Sequence, residues 1–132
     1  MISLSLLLHE RLATTAMFYT FAMGVWALWL TIRSRSLDGA YLGAIVVGEA
    51  LLVMQVLLGA TLWLGRDGGG SMWLHVLYGL LTALMWPFVY TFSRGRDGSA
   101  RQEAMMFFAT SFFLFLMLAR AVETARLVGG AG

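Results

Sequence analysis

Four apolar blocks of membrane-spanning length, at about 12–32, 40–64, 72–92 and 104–122, are divided by short polar clusters at 1–11, 33–39, 65–71, 93–103 and from 120 onward. At 1.5 Å of rise per residue each block can cross a hydrocarbon core of ~30 Å as a helix. Strands are excluded, because an open sheet leaves its edges unsatisfied in lipid and four short segments cannot close a barrel. The surface agrees with this reading: 60% of the 132 residues are hydrophobic and 12% charged, about half the charge share of an ordinary soluble domain. The expected fold is therefore an all-α membrane protein, with residues 1–132 forming a single domain, a four-helix transmembrane bundle running up-down-up-down in the lipid bilayer. Pro87 lies inside the third block and should bend that helix near its far end.

Charge placement orients the bundle. Arg33 and Arg35 follow the first block and Arg94, Arg96 and Arg101 the third, whereas the other side carries Arg11, Arg66 and Arg126. The positive-inside rule then puts both termini outside, in a multi-pass protein of the cell inner (plasma) membrane. Trp26, Trp29, Tyr41, Trp86 and Tyr90 fall near the arginine-rich side, and Trp63 and Trp73 near the other, as two aromatic belts would. The short apolar run at 4–8 leads directly into the first block and reads as part of the mature protein rather than a cleaved signal. All nine cations are arginines, and they are dispersed for a net charge of +2, which argues against a nucleic-acid partner. Without cysteine, any cofactor has to be held by His, Met or carboxylate groups rather than by thiolates.

The two histidines carry the chemistry. His9 enters the first helix and His75 the third, 66 residues apart at equivalent points of two hairpins, so both fall near the outer face. At helical spacing His9, Ala13, Ala16 and Thr20 share one stripe; His75, Gly79 and Thr82 share the matching one, with Ala83 beside it. Two imidazoles at one level over small residues are what axial ligation of a flat tetrapyrrole requires. Small residues in a membrane helix equally serve close helix contact, and that alternative stays open at this point.

His9-Glu10-Arg11-Leu12-Ala13 opening the first helix, Gln55-Val56-Leu57-Leu58-Gly59-Ala60 in the second and His75 opening the third resemble one four-helix half of the heme A synthase family and, more loosely, the b-type cytochromes of the cytochrome b561 kind. The resemblance implies His9 and His75 as the ligands of a haem b iron. The chain departs from the synthase pattern in having one half rather than two, and in carrying Leu6 three residues before His9, where that family has a catalytic glutamate. What it implies is thus electron transfer or haem holding near the outer face, within a larger complex, rather than heme A synthesis.

Several polar residues admit two readings. Arg120 and Glu123, three apart at the outer end of the fourth helix, form an intrahelical ion pair in the simplest account; alternatively Arg120, with Arg11 second, meets haem propionates. Glu49, about ten residues into the second helix, is either an acid hydrogen-bonded to a neighbouring helix or a contact for a proton or a quinone headgroup. Gln55 is expected to link helices. The nine methionines are packing residues, and the glycine-rich 65–70 segment is a turn. A cofactor-free small subunit of a respiratory or photosynthetic membrane complex, or a homo-oligomer, is the competing function. No nucleophile–base pair stands out, and the sequence leaves open whether any substrate is turned over.

Overall fold

A computed structural model describes residues 2–64, 73–94 and 98–130, with backbone alone at 2–3, 63, 74–75 and 124–130. It is a bundle of four helices: α1 (Ile2–Ile32), α2 (Gly39–Leu64), α3 (Trp73–Arg94) and α4 (Ala100–Gly130). All four are long and apolar enough to cross a membrane. Each helix packs on its neighbours in sequence, and the most extensive contact, between α1 and α4, closes the ring. The 65–70 turn, Arg96, and the side chains of Trp63, His75 and Arg126 lie outside the described residues.

Helix ends explain where the elements start and stop. α1 finishes in a Schellman turn: the Ser34 amide donates to the Thr31 carbonyl at 3.1 Å and the Arg35 amide to Leu30 at 2.9 Å, with Ser34 at φ 53°. Asp38 caps α2, its carboxylate accepting the Tyr41 amide at 2.8 Å. Ser99 and Gln102 form a reciprocal capping box at 3.2 Å each way, which starts α4 four residues before the apolar block. α1 begins about ten residues before its block and α4 runs eight beyond. Each is about 46 Å long, and helix can continue outside hydrocarbon, where Glu10, Arg11 and Glu123 are solvated. α3 continues through Pro87 without a break.

The interior follows a heptad rhythm. Residues 16, 20, 23, 27 and 30 of α1, 41, 45, 48, 52 and 55 of α2, 82, 86, 89 and 93 of α3, and 104, 107, 111, 114, 118 and 121 of α4 are buried. Alternating steps of three and four are the spacing of small-angle, left-handed helix packing. These seams are rich in small and hydroxyl residues, including Ala16, Thr20, Ala27, Thr82, Ser93, Ala104 and Ser111, while Leu, Val and Phe cover the outside. Such inversion follows from the solvent: lipid is as apolar as leucine, so close approach and interhelical hydrogen bonds select the core.

Aromatic side chains fill the half nearer the arginine-rich loops. Tyr41 is wholly buried, edge-on to Trp26 at 5.2 Å and to Phe107 at 6.0 Å, and its hydroxyl donates to the Met23 carbonyl at 3.3 Å. Trp86 is equally buried and donates to Ser111 Oγ at 3.2 Å. Sequence position alone assigns both to an interfacial belt; they lie inside the bundle instead, because each polar tip finds a partner there. Trp29 and Tyr90 do face outward, each beneath a guanidinium: Arg33 at 4.5 Å and Arg94 at 5.1 Å from the ring centroids.

Candidate functional site

The heptad register of α1 extends outward through Ala13 to His9, and that of α3 through Gly79 to position 75. Gln55 ties the α1 end down: its Nε2 donates to the His9 backbone carbonyl at 2.8 Å, the interhelical link expected of it. Beside it, the His9 ring rests on Gly59, where a Cβ would stand 3.1 Å from Cε1 and 3.8 Å from both ring nitrogens. Glycine is needed at 59 for the half-buried imidazole to reach the α2 backbone. Three residues named by the family resemblance, His9, Gln55 and Gly59, thus meet at one place.

Below this point the small-residue stripes are inside the bundle. Ala16, Thr20, Thr82 and Ala83 are buried, Ala13 and Gly79 half-buried. Thr20 and Thr82 return their hydroxyls to the carbonyls of Met17 and Gly79 at 2.9 and 2.7 Å, so the space between helices is lined by methyl groups and hydrogens. A Cβ on Gly79 would lie 3.7 Å from Val56. Since Val56 adjoins Gln55, the α3 turn carrying His75 stands within about one helical pitch (~5.4 Å) of the His9 level.

Arg11 and Arg120 are not drawn into this interior. Arg11 is exposed, and the Arg120 side chain, 72% exposed, reaches Glu123 at 4.0 Å, the geometry of the simpler reading. An exposed pair of this kind contributes at most about 1 kcal/mol. One oxygen of Gln55, Oε1, is buried with no hydrogen-bond partner among the described residues, and a buried acceptor left so costs about 1–3 kcal/mol unless something satisfies it. An imidazole and an unsatisfied amide oxygen thus lie side by side at the outer end of a closely packed seam of small side chains. No cluster of three or more His, Cys, Asp or Glu occurs among the described residues, so a bare ion held by protein groups alone finds no such set there.

What sequence reasoning missed is the contact of His9 with Gly59 and the burial of Ser111, Tyr41 and Trp86. For Ser111 the signal was the three-four spacing of small and hydroxyl residues; for Tyr41 and Trp86 depth along the helix gave none. The chain matches no protein-family model, no curated protein and no solved structure.

Proposed function

We propose that this protein is a membrane b-type haem protein, with His9 and His75 as axial ligands, passing electrons or holding haem near the outer face within a larger membrane complex. The observation that carries the reading is the register: His9 continues the buried seam of α1 directly above Ala13, Ala16 and Thr20, with its backbone held by Gln55. Position 75 stands in the same relation to Gly79 and Thr82 of α3. Haem held there by His9 and His75 would supply one-electron transfer. The chain's own part is to fix the His9 backbone through Gln55 and to give the ring room at Gly59, above an apolar seam of small side chains.

An absorption spectrum tests this. Protein expressed with haem supplementation, purified, then reduced, is expected to show a Soret band and the sharpened visible bands of a low-spin haem. Absence of a Soret band removes the haem reading and leaves the cofactor-free structural subunit.

Both termini belong outside in this proposal, at the level of the haem, with the Arg33–Trp29 and Arg94–Tyr90 pairs at the inner interface. Reporter fusions at Ser36 and Gly69 are expected to give opposite sidedness, with Ser36 inside; the same compartment for both contradicts four spans.

Arg120 extends the proposal to the propionates. A nearby cation favours the state that has gained an electron, so Arg120→Leu is expected to lower the haem midpoint potential and weaken haem retention. Arg120→Lys should affect retention more than potential, because it keeps the charge and loses the two-pronged geometry. Redox titration decides: an unchanged potential and haem content in Arg120→Leu leave the Glu123 pair as the residue's whole role.

A further inference from the structure

Glu49 sits about 15 Å along α2 from Gly39, midway through a ~30 Å core. It borders a cleft of about 180 Å³ between α2 and α3, lined by Ile45, Val46, Glu49, Trp86, Pro87 and Tyr90. Its Oε2 is buried with no hydrogen-bond partner among the described residues. The interhelical bond expected of a mid-membrane acid is therefore not made at this oxygen. A carboxyl at such depth is costly unless it is satisfied, and the cleft is the open space beside it.

The walls define the ligand. Apart from Glu49, the lining is almost wholly apolar; the Pro87 ring lies at its wall and the wholly buried Trp86 backs it. Val46, 68% exposed, and Tyr90, 42% exposed, are at its rim, so the cleft opens sideways to the acyl chains and not to water. Arg94 stacks on Tyr90 one turn nearer the arginine-rich end, and its charge disfavours a lipophilic cation. The volume suits one substituted ring and excludes a tetrapyrrole. The geometry points to a binding site for the headgroup of an isoprenoid quinone or quinol, edge-on to Glu49, with its tail along the exposed face of Val46 and Val53. A protonated Glu49 donates to a quinone carbonyl; an ionised one accepts from a quinol hydroxyl. This site is about ten residues, or ~15 Å, along α2 from Gly59, and does not rest on the haem reading.

Binding is measured by saturation-transfer NMR and calorimetry on the purified full chain in lipid nanodiscs, with a decyl-chain dimethoxy-benzoquinone as probe. Saturable binding is expected equally in protein prepared with and without haem supplementation, which separates this site from any haem. Glu49→Leu is expected to weaken it about tenfold, through loss of the hydrogen bond. Val46→Trp, at a lipid-facing position where folding is not at stake, is expected to abolish it by filling the mouth. No saturable binding, unchanged affinity in either cleft variant, or stronger competition by tetraphenylphosphonium than by an unlabelled quinone overturns the proposal.

Discussion

Gly48→Ala is expected to destabilise the bundle by about 1–3 kcal/mol, the usual range for overpacking a filled core, and Gly48→Leu by more. A Cβ at 48 would stand 2.6 Å from Trp86 Cζ3 and 2.7 Å from Tyr19 Cε1. Neither ring can step aside. Tyr19 is held by its hydroxyl on the Ala44 carbonyl at 2.5 Å, one turn along the same helix as Gly48, and Trp86 by its indole on Ser111 at 3.2 Å. Displacing them breaks contacts from α2 to both α1 and α3, and through Ser111 to α4. Gly43, on the same helix with nothing within 4 Å of an added methyl, is the control: Gly43→Ala should be neutral or gain up to about 1 kcal/mol from helix propensity. Thermal or denaturant unfolding in detergent reads the difference, and equal effects at 48 and 43 contradict the packing described.

On the proposed haem reading, His9→Ala and His75→Ala are each expected to remove the low-spin haem spectrum, since either would take away one of the two proposed ligands. Gly59→Val makes the geometric version of the same test without touching a ligand. Its Cβ would crowd His9 Cε1 from 3.1 Å, and the added branches leave the imidazole no place on α2, so haem content should fall while the helical content of the protein stays unchanged. A normal spectrum in either histidine variant rules out bis-histidine ligation. A spectrum intact in Gly59→Val but lost in His9→Ala would mean that His9 ligates from an orientation other than the one resting on Gly59.

The four spans and their order were legible because they depend on local properties. Length, hydropathy and the obligation of every backbone amide to find a partner in lipid leave little choice but helices between the polar clusters. Gln55 was legible as a polar residue at a depth where polarity needs a reason, and His9 by its place above a stripe of small residues. The outer reach of α1 and α4 was not, since a charged residue ends an apolar block without ending a helix. Nor was the distinction between belt and core for Tyr41 and Trp86, whose depth is the same in either role and which differ only in the partners on other helices.

By itself, then, the sequence determined that this chain is four membrane-spanning helices, and approximately where each enters and leaves, since that follows from transfer of each segment into hydrocarbon. The small-residue stripes marked the inward faces of α1 and α3; which faces of α2 and α4 turn inward only the tertiary structure decided. Leucine gains nothing by leaving lipid for the bundle, so hydrophobicity points nowhere, and α1 and α2 are apolar all round. Direction comes from shape and from polar atoms: Gly48 beneath two rings, Ser111 receiving the Trp86 indole, Gly59 beneath His9, and Gln55 reaching across to the α1 backbone. Each is a relation between residues on different helices, and exists only once those helices are side by side.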